Sequence, residues 1–144
     1  MTVCLDTNVF LQIFGPKHPF HPILRALLEG RLVAVVSTEI LLEYEEITTK
    51  FAGHKRWEEI AALLEILAQL HGNIHYSEPQ FKFRVITSDS DDNKFCDCAI
   101  ASGADYVVTQ DHHFDPLKTA GYKPQPIRAE QFIRLHLSTG PGKE

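Results

Sequence analysis

Three short runs in this chain are apolar at nearly every position: Thr2-Val3-Cys4-Leu5, Leu32-Val33-Ala34-Val35-Val36 and Tyr106-Val107-Val108-Thr109. A strand with one wet face alternates apolar and polar residues. Runs without alternation fit the strands of a parallel sheet covered by helices on both faces. The intervening stretches carry helical spacing. Ile23, Leu24, Leu27 and Leu28 share a face of a helix over His21 to Glu29, with Gly30 as its stop. Ser37 or Thr38 caps a helix running to about Phe51, which Gly53 closes. Ile60, Leu63, Leu64, Leu67 and Leu70 mark a longer helix over Lys55 to Leu70. Lys94 to Ser102 and Ala129 to His136 complete the helical set, while Ile74–Tyr76 and Phe83–Ile86 read as short strands. Strands alternating with helices predict an α/β three-layer sandwich around a central, mainly parallel sheet. The expectation is one domain over residues 1–138, followed by a loose Gly-Pro-Gly tail over 139–144.

Composition narrows the function classes. Hydrophobic residues make up 44% and charged residues 23% of 144, which excludes a wholly disordered chain. The net charge of −5 excludes a generally basic nucleic-acid-binding surface, although not a local patch. No apolar run approaches the roughly 20 residues of a membrane span. The first run meets Asp6 too early for a secretory leader. Three cysteines, Cys4, Cys96 and Cys98, make no even framework, and a reducing, cytoplasmic setting is expected.

The acidic residues are out of place. Asp6 directly follows the first strand and Asp111 follows the strand around Val107, so both emerge at the carboxyl edge of one parallel sheet. Ligands of open α/β sheets bind at that edge. Glu43 shares a helix face with Ile40 and Ile47, and Asp97 interrupts the apolar Phe95-Cys96-Asp97-Cys98-Ala99. A carboxylate on a buried face is costly unless paired, protonated or bound to a cation. Lys94 can pair with one of them at most. A magnesium or manganese ion would satisfy such a set of hard oxygen donors. Each acid also has an ordinary reading: Asp6 as a helix cap, Asp111 as a turn residue, Glu43 as a partly exposed helix acid. Asp92, in the polar run Asp89-Ser90-Asp91-Asp92-Asn93, adjoins the start of the Asp97 helix and is a further contributor. A helix start also favours a carboxylate without any metal. His112-His113 invite a zinc site, but neighbours along a strand point to opposite faces and cannot both reach one ion. Cys96 and Cys98, one residue apart on a helix, point apart and make neither a zinc site nor a disulfide.

Taken in order, the segments Leu5-Asp6-Thr7-Asn8, Leu42-Glu43-Tyr44, Asp91-Asp92-Asn93-Lys94-Phe95, Asp97-Cys98-Ala99 and Val108-Thr109-Gln110-Asp111 resemble the PIN domain. The nearest likeness is to the bacterial VapC-like toxins of that family, and it covers nearly the whole chain. The resemblance implies a metal-dependent ribonuclease that uses Mg2+ or Mn2+, held by three or four acids, to hydrolyse RNA phosphodiester bonds. It places Asp6, Glu43, Asp97 and Asp111 in the four acid positions. Asp92 shares or takes over the third, and Asn8 and Thr109 orient the acids. One departure is Gln110, where many members carry glycine; its bulk is expected to narrow the site.

The same resemblance implies an RNA substrate, an antitoxin protein as partner and a homodimer. Lys17, Lys50, Lys55, Arg56 and Lys94 are candidates for phosphate contact, and Phe10, Phe14, Phe20 and Trp57 for base stacking. Two rival readings stand beside the nuclease. One is a non-catalytic PIN-like binding module. The other is a magnesium-dependent phosphatase or phosphotransfer domain, against which Asp6 has only the amide of Asn8 close by as a second acid–base group.

Overall fold

The computed structural model describes residues 1–138. The expected tail over 139–144 lies outside the described residues. Five parallel strands form one sheet in the order β3-β2-β1-β4-β5: β1 Thr2–Leu5, β2 Val33–Val36, β3 Ile74–Tyr76, β4 Tyr106–Val108 and β5 Gln125–Ile127. Helices α1 Thr7–Gln12, α2 His21–Leu28, α3 Thr38–Ala52, α4 His54–His71, α5 Asn93–Ser102 and α6 Ala129–Phe132 connect and cover them. The α/β architecture expected from the sequence is present.

The chain builds outward from β1 through β2 to β3, then returns to the other side of β1 as β4. The strand order therefore reverses between β1 and β4, where such sheets form their binding crevice. Leu5 stands beside Val108 in the ladder, and the Asp6 N–H donates to the Val108 carbonyl at 3.0 Å. The ends of β1 and β4 are thus locked in register just where the two acids emerge.

The core strands are fully buried, with Val3, Cys4, Val107 and Val108 at zero exposure. Helix α5 lies across β1, β2 and β4 through Phe95, Cys96, Cys98 and Ala99. On the opposite side, Tyr44 of α3 stacks on Phe10 of α1 at 3.8 Å between ring centroids. Its hydroxyl donates to the Leu5 carbonyl at 2.5 Å. That bond ties the Glu43 turn of α3 to the end of β1. Ser37 caps α3 by accepting from the Ile40 N–H. Gly103, at φ +69°, lets α5 end in a left-handed turn and enter β4.

Three elements differ from the sequence reading. Phe83–Ile86 is not a strand. Its backbone is held instead by side chains of α5: the Phe83 N–H donates to Asp97, and Asn93 exchanges two hydrogen bonds with Ile86. The last helix is regular only over Ala129–Phe132 and widens into a π turn over Ile133–Leu137. Strand β5 has no counterpart in the sequence reading, and it contains Pro126. It pairs with β4 alone, and an edge strand tolerates a residue without an N–H. Among the described residues no helix is long and apolar enough to cross a membrane.

Candidate active site

Four acids converge at the reversal point, each brought by a different element. Asp6 ends β1, Glu43 comes from α3, Asp92 from the 3₁₀ turn Ser90–Asp92 ahead of α5, and Asp111 from just beyond β4. Asp6 is only 7% exposed. Its side chain makes no cap bond to α1, so the helix-cap reading does not describe it. Instead Asp6 Oδ2 accepts from the Thr109 hydroxyl at 2.8 Å, and Thr109 Oγ1 in turn accepts from the Asp111 N–H at 3.0 Å. One buried threonine therefore sets both strand-end acids. Burial pushes the Asp6 pKa up; the Thr109 hydroxyl and the Thr7 amide oppose this, while Glu43 and Asp111 add to it.

Glu43 is the compensated member. Its Oε1 lies 2.5 Å from Lys94 Nζ, and its Oε2 accepts from the Thr7 hydroxyl. Lys94 also reaches Asp91 at 3.4 Å. Burial works against the ammonium, but the hydrogen bond and charge of Glu43, then Asp91, outweigh it and raise its pKa. Lys94, a candidate for phosphate contact, is committed to carboxylates.

Asp92 is the uncompensated member. Its Oδ2 is buried and has no hydrogen-bond partner. Burial and then the charges of Asp6, Asp89, Asp111 and Glu43 push its pKa up to about 7. One oxygen of Asp89, one of Asp92 and a ring nitrogen of His113 lie within 4.8 Å of one another. His113 is half-buried. Its Nδ1 has no hydrogen-bond partner and stands 3.3 Å from Asp111 Oδ1. An orphaned carboxylate oxygen and an orphaned imidazole nitrogen among repelling acids could hold a divalent cation.

Asp97 lies elsewhere. It is 8% exposed, yet its Oδ1 accepts from the Phe83 N–H at 3.0 Å, and it borders a cavity with Ser37 and Glu39. Burial raises its pKa; the Phe83 amide and Lys82 work against that, and Glu39 adds to it. None of the charges acting on it is one of the other four acids. Asn8 is exposed and makes no side-chain hydrogen bond among the described residues. Gln110 does not narrow the site, because its amide is turned to α6, where it bonds Glu130 at 2.9 Å and the Ala129 N–H at 2.8 Å.

The histidine pair was read as extended, but the chain there winds as a 3₁₀ helix over His112–Thr119. His112 is exposed and His113 turns toward the acids. The only sequence signal for this is the Asp-x-His spacing, in which Asp111 Oδ1 accepts from the His113 N–H. Of the stacking candidates, Phe10 and Phe20 are core residues. The three cysteines are buried and free.

Acids crowded at the reversal point of a parallel sheet define a class of α/β domain whose sheet edge could hold a cation. Comparison with known families makes the class specific: the family model of the PIN domain matches residues 2–113, and this chain belongs to that family. Comparison with curated proteins and with solved structures found no match. PIN domains are typically metal-dependent nucleases acting on nucleic acid.

Proposed function

We propose that this protein is a Mg2+- or Mn2+-dependent endoribonuclease whose ion is held at Asp92, with Asp89 and His113 the donors nearest to it and Asp6, Asp111 and Glu43 the acids around it. The observation that carries the reading is the Asp92 carboxylate: buried at one oxygen, without a donor, and raised to about 7 by burial and by its acidic neighbours. A divalent ion bound there supplies polarisation of a phosphoryl oxygen and a more acidic water. The chain's own residues do the rest. Thr109 fixes the two strand-end acids, and Lys94 and Thr7 hold Glu43 in place. A bound cation would hold Asp92 as the carboxylate, because it offsets the repulsion that raises the pKa of the metal-free chain. Asp92, rather than Asp97, fills the third acid position in this arrangement.

The finer reading is the toxin of a toxin–antitoxin pair. It is supported by the order and spacing of the motifs. Leu42 and Phe51 of α3, with Ile66 and Leu70 of α4, are exposed and offer apolar surface for an antitoxin or a second copy. The test is cleavage of a mixed single-stranded RNA pool with Mn2+, Mg2+ or chelator, comparing wild type with Asp92→Asn and Asp6→Asn. Metal-dependent cleavage lost in both folded variants is expected. Cleavage that persists in chelator, or in either variant, contradicts the assignment.

A further inference from the structure

Beside the acid cluster lies a cavity of about 560 Å³, bounded by the start of α3, by α5 and by residues 78–87. That size accommodates a small organic group such as a nucleotide unit. Segment 81–86 forms part of its wall as a strap stitched to α5 by Asp97 and Asn93. Arg84 in that strap adopts φ +53°, a left-handed conformation unusual for a residue with a side chain. Such backbone persists where the surroundings fix it, and it is enriched at ligand clamps.

The charges at the cavity divide into committed and free, and Glu39 is a free carboxylate among the described residues. Asp97 is taken by the Phe83 N–H, Glu78 by the Thr38 N–H at 2.7 Å, and Asp91 by Lys94. Lys82 and Arg84 make no side-chain ion pair or hydrogen bond among the described residues. Beside them Phe81 is 72% exposed, its ring 6.2 Å from that of Phe83. Two free cations with an exposed aromatic ring are the elements that bind a nucleic-acid single strand: phosphate on the cations, a base on the ring. The cavity reaches Asp91 and Lys94, and Lys94 is bonded to Glu43 of the acid cluster, so one lysine links the two.

We propose that the 81–86 strap is the seat of single-stranded RNA, with Lys82 and Arg84 holding phosphates and Phe81 stacking a base. Asp97 is its positioning residue: it anchors the strap and does not hold the metal. The proposal rests on the nuclease reading, whose Glu43 is bonded to Lys94 of the cavity wall.

The experiment is fluorescence anisotropy in chelator with a fluorescein-labelled, mixed-sequence single-stranded RNA and its duplex, paired with a separate Mn2+ titration by calorimetry. Circular dichroism checks that each variant is folded. Lys82→Ala/Arg84→Ala is expected to weaken single-strand binding about tenfold and to flatten the log–log salt slope by about 1.4, two phosphates at about 0.7 each. Phe81→Ala is expected to weaken it about fivefold or more with the slope unchanged. Asp97→Asn is expected to weaken RNA binding while leaving Mn2+ binding unchanged, a split that a general loss of structure does not produce. Unchanged RNA affinity and slope in the folded double variant, a wild type that binds no single strand, or equal affinity for the duplex each overturn the proposal. Strap-dependent RNA binding without any Mn2+ binding would sink the nuclease reading and leave the strap standing.

Discussion

Asp92 precedes α5 and Asp97 lies five residues on, in the middle of that helix, and both have a raised pKa. They do opposite things. Asp97 is the more buried, but a backbone amide satisfies it and its neighbours are a glutamate and a lysine. Asp92 is less buried, but it faces four other carboxylates and one of its oxygens has no donor. Burial alone therefore does not mark a metal ligand. In the proposed reading, the ligand is the carboxylate whose neighbours repel it and to which no group donates a hydrogen bond.

The largest effect expected from this contrast is on metal binding. Removing an ion's ligand should exceed the roughly 10–100-fold loss seen when only an outer partner is removed. Asp92→Asn should lower Mn2+ affinity by about a hundredfold or more in calorimetry, and Asp6→Asn by about 10–100-fold. Next is stability without metal. Asp92→Asn removes a repelled charge and should raise the Tm of the metal-free protein. Asp97→Ala strands the Phe83 N–H and should lower stability by about 1–3 kcal/mol in urea unfolding. Opposite signs at these two acids would sharpen the comparison; destabilisation by both would break it.

The pH dependence follows from the same shift. The Asp92 carboxyl has a pKa of about 7 in the folded chain against an ordinary 3.8. The folded state then binds the extra proton, so this group's contribution to stability falls as pH rises from about 4 to about 7. Metal-free Tm should drop over that window, less so in Asp92→Asn, and Mn2+ should restore it at pH 7. A flat profile would mean that burial and the neighbouring acids do not raise the Asp92 pKa. The smallest effect should come from Thr109→Val, which removes the shared hydroxyl of Asp6 and Asp111. A loss of about 1–2 kcal/mol and a Mn2+ affinity about tenfold weaker are expected.

The fold was legible where burial on both faces leaves unbroken apolar runs, as in β1, β2 and β4. It was illegible where side chains replace a strand partner. Phe83-Arg84-Val85-Ile86 has the composition of a strand, but Asp97 and Asn93 meet its backbone groups, and no local pattern encodes that. Strand β5 holds Pro126, and a chain gives no sign of which strand will be the edge. In the site, Asp6 and Asp111 could be placed from strand ends alone. The relation between Asp92 and Asp97 could not, since an anomaly in an apolar helix looks the same whether an amide or a cation answers it. His113 was hidden by a 3₁₀ turn in a stretch read as extended.

The most direct test of the central claim is a Mn2+ titration of wild type, Asp92→Asn and Asp97→Asn under one condition, each checked for folding. Equal affinity in wild type and Asp97→Asn, with binding lost in Asp92→Asn, is the expected result. Binding retained by Asp92→Asn and lost by Asp97→Asn would contradict the account and move the metal to the other side of α5.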